Sequence, residues 1–331
     1  MTRSPLGPGE EFDRIRAIAA ALDVEPAALG DDCALVAPGP GALVVSTDLS
    51  VEDVHFRRAW LALGEIGWRA AAGALSDLAG EGAEPLGLLA AVTVPSGAAE
   101  TDVVEVMRGV GSAGAAVGAQ VLGGDLSRGP VWSVAITVLG RATRPVLRAG
   151  ALPGDHVWVT GRLGAARAAL EAWRRGAEPA PAARRAFAHP EPRIGAGRWL
   201  AAHGARAMLD LSDGLAGDAG HLAAASAVAL ELSLERLPVA PDAIVEAERL
   251  GQAPAAFAAE GGEDYELLVA LPPEFGAADA QAFTRACGLP LTCIGVARDG
   301  AGAHFSAGGA PVALRGYDHF RAAVDAVRDA G

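Results

Sequence analysis

Many of the acidic residues of this chain stand in short turns rich in glycine, serine and threonine, at the ends of apolar runs. Six segments have this character: residues 30–36, 44–50, 74–80, 121–129, 208–218 and 260–268. Ligands of open α/β sheets bind at the carboxyl ends of the strands. Because Asp48, Asp125 and Asp210 follow or end strand-like runs, we expect them to converge on one cleft.

Carboxylates that converge in this way need cations between them, since like charges a few ångströms apart repel strongly. Oxygen ligands in glycine-rich loops suit hard ions such as Mg2+ or Ca2+. An EF-hand is excluded, because a loop counted from Asp210 has His221 where the bidentate glutamate should stand. Each aspartate taken singly has a simpler interpretation: Asp213 could cap the helix beginning near Leu215, and Asp77 could be an ordinary polar residue of a helix.

The basic residues of the chain are all arginine. Its 331 residues include 27 Lys+Arg and 40 Asp+Glu, which gives a formal net charge of −13, and none of the 27 is lysine. The absence of lysine excludes P-loop nucleotide binding, the protein-kinase lysine, Schiff-base aldolases and pyridoxal-phosphate enzymes. The acidic balance argues against nucleic acid or an anionic membrane as the main partner. Phosphate chemistry here must therefore use arginine, backbone amides or metal ions.

The chain carries no pattern of a membrane or secreted protein. No uninterrupted apolar stretch approaches the roughly 18 residues of a membrane span, and the N-terminus has no apolar signal core. Cys33, Cys287 and Cys293 are odd in number and lack CxxC spacing, which is typical of thiols in a reducing compartment and indicates no structural zinc. We therefore expect a cytoplasmic protein.

Helical and strand patterns alternate along the chain, which predicts an α/β or α+β architecture. The predicted helices cover residues 10–22, 63–81, 100–117, 163–175, 194–203, 215–226 and 317–328. The predicted strands cover residues 42–48, 86–94, 119–122, 131–140, 156–160, 207–211, 228–234, 265–271 and 291–297. Residues 141–155 collect prolines, glycines and arginines between two strands, so we predict two domains, 1–145 and 146–331. We interpret residues 176–185 as a surface connection.

Taken in order, the acidic motifs and two further segments resemble one enzyme family. The motifs are GDDCALV, STDLSVEDVHF, LSDLAGEGAEP, GGDLSRG, LRAGALPGD, DLSDGLAGD, GGEDYELL and the C-terminal RGYDHF. Together they resemble the thiamine-monophosphate kinases, of the aminoimidazole ribonucleotide synthetase superfamily, over nearly the whole chain. The resemblance implies a two-domain aminoimidazole ribonucleotide synthetase-like fold. In that fold an N-terminal sheet domain binds ATP and metal and dimerises, and a C-terminal α/β domain completes the active-site cleft.

The resemblance further implies a kinase of thiamine biosynthesis. Such an enzyme uses ATP and several Mg2+ ions to convert thiamine monophosphate to thiamine diphosphate, and it works as a homodimer. Direct in-line transfer brings two phosphate dianions together, and their repulsion requires cations. Because a phosphate monoester has a second pKa of about 6, the acceptor oxygen is already ionised at neutral pH and needs no general base.

The resemblance also assigns roles to individual residues. The metal ligands that it implies are Asp31, Ser46, Thr47, Asp48, Asp77, Asp125, Asp210 and Asp213, of which we treat Asp48 and Asp125 as catalytic. The ATP contacts are Gly124, Asp125, Arg148 and Ser212, and the substrate contacts are His55, Glu263 and Tyr317. Two positions depart from the family pattern: Met107 stands where many members have an aromatic residue, and Asp53 replaces a small residue just before His55.

Two alternatives remain open from the residues. The first is another ATP-dependent enzyme of the same superfamily, of the cyclo-ligase type, since motifs such as GGD are shared; GGEDYELL and GYDHF weigh against it. Selenophosphate synthetases need a reactive cysteine or selenocysteine with a lysine near the N-terminus, and the carbamoyl dehydratases end in a cysteine tail, whereas this chain ends in VRDAG. The second alternative is a non-catalytic protein that binds divalent cations without nucleotide.

Overall fold

Two β-sheets with helices packed on them make up the part of the chain that the computed structural model describes, residues 10–24 and 39–317. The first sheet consists of β1 (Ala42–Val51), β2 (Glu84–Pro95), β3 (Val121–Gly129) and β4 (Ser133–Ala142), in the order β1-β4-β2-β3. Strand β4 runs antiparallel to β1 and β2, whereas β3 is parallel to β2. A parallel pair needs a crossover connection, and helix α3 (Glu100–Ala116) supplies it.

Helices cover one face of the first sheet. α2 (Leu63–Gly80) packs on β1 and β4 and along α3, and α1 (Glu10–Ala21) packs on α3. The two long helices approach closely because glycine stands at their contact: a Cβ added at Gly67 would lie 1.9 Å from the carbonyl oxygen of Val106.

The other face of the first sheet is open to solvent in the described chain. Side chains alternate across β4, so that every second residue from Val134 to Ala142 is buried. On β1 most of the outward-facing side chains are apolar, and Leu43, Val45 and Leu49 are each more than half exposed. An apolar row of this kind on a sheet is typical of a surface that another molecule covers.

The second sheet has the strand order β11-β10-β7-β9-β5-β8-β6. Its strands are β5 (His156–Thr160), β6 (Ala207–Asp210), β7 (Ala229–Ser233), β8 (Leu267–Leu271), β9 (Leu291–Arg298), β10 (Gly302–Ala307) and β11 (Ala310–Val312). The helices of this half are α4 (Ala165–Arg174), α5 (Pro181–Ala188), α6 (Ile194–Ala202), α7 (Leu215–Ser226), α8 (Pro241–Arg249), α9 (Pro254–Ala259) and α10 (Ala277–Cys287).

Helix α2 lies between the two sheets. Besides β1 and β4 it contacts β6, α5 and α6, and 14 of its 18 residues are buried. A helix on the surface of one sheet buries a single stripe, so this degree of burial reflects contact on several sides. Both halves of the chain therefore fix the position of α2 and of the side chains that it directs into the space between the sheets.

Most of the predicted elements are confirmed within a few residues, and residues 156–160 and 215–226 form their elements at the predicted bounds. The prediction of a strand at 119–122 is wrong in extent, because the observed strand β3 continues to Gly129 and contains the GGD motif in its interior. The surface connection predicted at 176–185 is also wrong in part, since α5 begins within it. Short, alanine-rich α8, α9 and α10 were not predicted, because they have too few apolar repeats for a periodic signal.

Some predictions are not decided by the fold. Residues 30–36, with Asp31, and 318–328 of the predicted last helix lie outside the described residues. The predicted domain boundary at 145/146 falls between β4 and β5 and stays a prediction. Among the described residues, no helix is long and apolar enough to cross a membrane.

Candidate active site

A cavity of about 790 Å³ opens between the two halves of the chain. Its walls come from β1 and the turn after it, from α2 and α4, from the loop after β6, and from the loop before β8. The cavity brings together eight of the sequence-predicted site residues: Asp48, His55, Asp77, Asp210, Ser212, Asp213, Glu263 and Tyr317.

One end of the cavity, here called the acidic end, is formed by carboxylates from separate elements. Asp48 comes from β1, Asp77 from α2, Asp210 from the end of β6, and Asp213 from the turn after it. The hydroxyl of Ser46 donates a hydrogen bond to Asp77 Oδ2 and so ties β1 to α2.

Burial raises the pKa of three carboxylates of the acidic end, those of Asp48, Asp77 and Asp210. Desolvation raises the pKa of Asp48 to about 6, and the charge of Asp77 adds to the shift. Burial raises the pKa of Asp210 to about 7; the charges of Asp77 and Asp48 add to this shift, and that of Arg148 opposes it. Burial likewise raises the pKa of Asp77. Keeping these carboxylates ionised without bound cations is therefore unfavourable.

The chemistry of these donors fits magnesium. Four carboxylates and a serine hydroxyl offer oxygen alone, which is the ligand that Mg2+ prefers. The arginine predicted to contact ATP is also in range, because the charge of Arg148 opposes the rise that burial causes in the pKa values of Asp77, Glu81 and Asp210. The acidic end therefore combines an oxygen-ligand site with a nearby guanidinium.

Thr47 is a sequence-predicted metal ligand whose side chain is turned away. Neighbouring residues of a strand point to opposite faces, and Ser46 and Asp48 face α2. The hydroxyl of Thr47 lies instead on the open face of the sheet, 3.0 Å from the hydroxyl of Thr137. Only main-chain atoms of Thr47 remain as potential ligands.

Asp125 and Gly124 lie apart from the acidic end within one chain. Asp48 pairs with Ile136 of β4, whereas Asp125 pairs with Ala91 of β2 on the far side of the sheet. Three strand spacings separate β1 from β3, roughly 14 Å. Asp125 is exposed in the interior of β3 rather than in a turn. The glycine before it has a packing role, since a Cβ at Gly124 would lie 1.9 Å from the carbonyl oxygen of β2's Ala90.

Asp218 is an acidic residue near this end to which the sequence analysis assigned no role. Ligand atoms of Asp213, Asp218 and His221 all lie within 4.8 Å of one another. Burial raises the pKa of Asp218 to about 8, and the charges of Asp210 and Asp213 add to the shift. Its carboxylate accepts a hydrogen bond from the Asp213 amide, with 3.1 Å between N and Oδ2. Asp218 thus supports the turn that carries Asp213.

His55 stands in the turn after β1. The main-chain amide of Val51 donates a hydrogen bond of 3.1 Å to His55 Nδ1, so Nε2 carries the proton in the neutral ring. Asp53 has a left-handed backbone, with φ +64. Aspartate tolerates this conformation better than most residues but less well than glycine, which explains why a small residue is usual at this position in the family.

The other end of the cavity, here called the aromatic end, is lined by ring and guanidinium side chains. The guanidinium of Arg69 lies over the ring of Phe187, which packs edge-on against Trp173. The ring of Trp173 is stacked on Trp60, and Arg57 lies over Trp60 from the turn after β1. This end therefore offers a ligand aromatic and cationic groups in place of carboxylates.

Glu263 is held by two residues that the sequence analysis missed. Its carboxylate forms an ion pair with Arg69 of α2 and accepts a hydrogen bond of 2.7 Å from the hydroxyl of Tyr265. The spacing of Arg69, Gly73 and Asp77 is a signal that could have found Arg69, because residues four apart lie on one face of a helix.

Met107 cannot provide the base-stacking surface that an aromatic residue offers at this position in the family. Its side chain is 4% exposed and packs in the core between α3 and the first sheet. Adenine contacts in this chain must therefore come from other residues.

Comparisons with known proteins find similar sequences and structures over most of the chain. Residues 30–142 match the N-terminal domain, and residues 153–308 the C-terminal domain, of the AIR synthase related proteins. The thiamine-monophosphate kinase of Salmonella typhimurium is 37% identical over 323 residues, which cover 93% of this chain and 95% of that protein.

Two solved structures share the fold over most of their length. The crystal structure of thiamine-monophosphate kinase from Stenotrophomonas maltophilia has a TM-score of 0.78 at 33% identity, covering 91% of this chain and 96% of the other. AaThiL complexed with AMPPCP and TMP has a TM-score of 0.77 at 32% identity, covering 94% and 97%.

Proposed function

The chain belongs to the thiamine-monophosphate kinase family of AIR synthase related proteins, and on that premise we propose that it transfers a phosphoryl group from ATP to thiamine monophosphate. The product is thiamine diphosphate, and the enzyme is a kinase. The observation that carries this proposal is the cavity between the two halves, in which an acidic end adjoins an end lined by aromatic and cationic groups. A relative with the same fold is complexed with AMPPCP and TMP.

Magnesium is part of the proposal. Asp48, Asp77, Asp210 and Asp213 would hold it, since they converge on the acidic end and offer oxygen alone. When bound, Mg2+ supplies the positive charge that lets two phosphate groups approach each other. The number of ions follows the resemblance, which implies several, with Asp31 among the ligands.

The chain's own residues bind and orient the two substrates. Arg148 contributes a guanidinium near Asp77 and Asp210, where a phosphate can be clamped by paired hydrogen bonds. Ser212 lines the cavity beside these groups. No side chain needs to remove a proton from the acceptor, because a phosphate monoester is ionised at neutral pH. His55 therefore contacts the substrate with Nε2–H as a donor rather than acting as a base.

A homodimer is also part of the proposal. The open face of the first sheet carries Leu43, Val45 and Leu49, and a second copy of the chain would remove this apolar surface from water. Asp125 and Gly124 lie at the far edge of the same sheet. We place them at the cleft of the second copy, since within one chain they are too far from Asp48 to share ligands with it.

We propose the cytoplasm as the location of the enzyme. ATP is its co-substrate, and Cys287 and Cys293 are free thiols in the described part of the chain, as is typical of a reducing compartment.

The test is a direct assay of the purified protein with Mg2+, ATP and thiamine monophosphate, in which thiamine diphosphate is detected as the product. EDTA in place of Mg2+ is the control and should leave no product. Absence of product from folded, dimeric protein would contradict the proposal. A non-catalytic cation-binding protein would bind Mg2+ without nucleotide, and a cyclo-ligase would consume ATP only with a different acceptor.

A further inference from the structure

Two donors contact the same oxygen of Glu263 at the cavity wall. Arg69 forms its ion pair with Oε2, and the Tyr265 hydroxyl donates its 2.7 Å hydrogen bond to that atom as well. Within residues 10–24 and 39–317, no side chain or amide donates a hydrogen bond to Oε1. Because Glu263 lines the cavity, Oε1 is the acceptor that remains for a ligand.

Arg69 is itself fixed in place. Its side chain is 4% exposed, its Nη1 donates a 2.7 Å hydrogen bond to the carbonyl oxygen of Phe187, and its guanidinium lies 3.8 Å from the centre of the Phe187 ring. A buried guanidinium without its anion is strongly unfavourable. Arg69 therefore acts as a fixed point to which the carboxylate of Glu263 is held.

Tyr265 is positioned against α2 in the same way. A Cβ added at Gly73 would lie 3.1 Å from the Tyr265 hydroxyl, so the glycine provides the room for it. Burial, and then the charge of Glu263, raise the pKa of Tyr265 well above its ordinary value, so the phenol stays protonated and remains the donor.

The backbone of this segment adopts unfavourable conformations that direct the two side chains. Glu263 has φ +70 and Tyr265 has φ +50, both left-handed. Hydrogen bonds retain the strained segment: the Glu263 amide donates to the Ser212 carbonyl oxygen at 2.8 Å, and the Tyr265 amide to that of Leu211 at 2.9 Å. Strain of this kind persists where the surrounding structure requires one orientation, often at ligand sites.

The position of this group along α2 indicates which part of a ligand it meets. Arg69 and Asp77 lie eight residues apart on the same face of the helix, about 12 Å along its axis. The carboxylate of Glu263 lies between these two levels of the helix, held by Arg69 and by the Tyr265 hydroxyl beside Gly73, and its charge reaches Asp48. A ligand that extends from the acidic end along α2 therefore passes Glu263 with its opposite end. In thiamine monophosphate that opposite end is an aminopyrimidine ring, whose amino group donates hydrogen bonds.

We propose that Arg69 and Tyr265 are positioning residues that hold Glu263 by Oε2 so that Oε1 accepts a hydrogen bond from the amino group of the substrate's pyrimidine ring. This inference rests on the proposed function, because it takes thiamine monophosphate as the acceptor. It makes the orientation of Glu263, and not its charge alone, a determinant of substrate selection.

The first test is Tyr265→Phe, which removes one donor and leaves the ring in place. We expect the KM for thiamine monophosphate to rise about tenfold, while kcat and the KM for ATP stay within about twofold of wild type. In a Glu263→Ala background the same change should have no further effect, because the side chain that accepts the Tyr265 hydrogen bond is already gone. Equal effects of Tyr265→Phe in both backgrounds, or a loss confined to kcat, would overturn the proposal.

The second test uses the phosphorylated thiamine analogue in which oxygen replaces the pyrimidine amino group. We expect wild type to prefer thiamine monophosphate over this analogue by at least about tenfold in kcat/KM, and Tyr265→Phe and Arg69→Lys to reduce that preference. Arg298→Met is the matched control, since it removes an exposed ion pair with Glu231. It should change neither the KM for thiamine monophosphate nor the preference over the analogue. An unchanged preference in Tyr265→Phe would also overturn the proposal.

Failure of this inference is distinguishable from failure of the proposed function. If wild type makes no thiamine diphosphate, the proposed function fails. If wild type is active and Tyr265→Phe keeps the wild-type KM, only the positioning role fails.

Discussion

Aspartates at the acidic end show how position changes what a single side chain does. Asp210 is buried beside Asp77, and its pKa is raised to about 7, whereas a solvated aspartate titrates near 3.8. Without a cation the clustered carboxylates therefore repel one another, and a bound cation would relieve that repulsion. In our proposal these residues lower the stability of the metal-free protein and provide affinity for metal and phosphate, a common compromise at functional sites.

Asp48→Asn is expected to lower turnover by at least about 100-fold, because a carboxylate ligand is replaced by a weaker neutral one. In EDTA its thermal unfolding midpoint should equal or exceed that of wild type, since one charge of a repelling cluster is removed. The measurements are steady-state kinetics with Mg2+ and calorimetry without it. Near wild-type turnover would show that Asp48 is not a metal ligand.

The free energy of unfolding of the metal-free protein should fall as pH rises from 5 to 8. The folded-state pKa values of Asp48 and Asp210, about 6 and about 7, lie above the unfolded value of 3.8. Between these values the folded state binds more protons than the unfolded state, so stability is greatest at low pH and is lost as pH rises through the folded pKa.

We expect this loss to amount to roughly 1–3 kcal/mol, measured by urea unfolding in EDTA. Saturating Mg2+ should remove most of this fall, because a bound cation favours the ionised carboxylates. A free energy of unfolding that rises with pH in EDTA would contradict the assignment of these carboxylates to a repelling cluster.

At the scale of elements, α2 connects the packing of the molecule to its site. The helix is clamped between the two sheets, and its cavity face presents Arg69, Gly73 and Asp77. Its close approach to α3 depends on Gly67, where backbone lies against backbone. Displacing α2 would move both ends of the cavity at once.

Gly67→Ala should destabilise the protein by about 2–3 kcal/mol, because the new methyl group would overlap the Val106 carbonyl and force the helices apart. Gly220→Ala is the matched control: it also lies in a helix, but a Cβ there meets no atom within 4 Å. Gly220→Ala should stabilise the protein by up to about 1 kcal/mol, because alanine is favoured over glycine in a helix. The free energy of unfolding of both variants is measured by chemical denaturation, and equal values would contradict the close packing of α2 on α3.

On the scale of the whole molecule, the sheet that carries Asp48 also carries Asp125 at its opposite edge, and its open face is apolar. Both features support our proposal that the complete site needs a second chain. A second copy covers the apolar face and supplies Asp125 in our proposal, which makes dimer and active site one structure.

Mixing the inactive variants Asp48→Asn and Asp125→Asn, after joint unfolding and refolding, should restore activity. If Asp125 acts in the cleft of the partner chain, each mixed dimer has one intact site, and random mixing returns about a quarter of wild-type activity. If both residues serve the same chain's site, no activity returns. The measurement is thiamine diphosphate formation before and after mixing.

Val45→Asp is the control for this experiment. A charge on the open apolar face should give a monomer in size-exclusion chromatography with light scattering, and it should abolish the recovery. A Val45→Asp dimer of wild-type stability would show that this face is not the interface.

Local patterns predicted much of the fold and some of the site. Long helices such as α2 and buried strands such as β5 were found because their apolar residues repeat regularly. The GGD motif was placed in a turn because paired glycines usually form one, whereas here Gly124 allows β3 to lie against β2. Arg69 was missed because its spacing from Gly73 and Asp77 indicates a shared helix face but not what that face contacts.

The sequence by itself determined the available side-chain chemistry, which is carboxylates in glycine-rich segments and no lysine. From this it predicted that bound cations supply the positive charge for phosphate transfer. Only the tertiary structure decided which groups meet. Asp48, Asp77 and Asp210 converge, Asp125 stands apart, and Arg69 and Tyr265 share one oxygen of Glu263. The physical reason is that contacts between distant segments depend on how α2 packs between two sheets, and no local pattern encodes that packing.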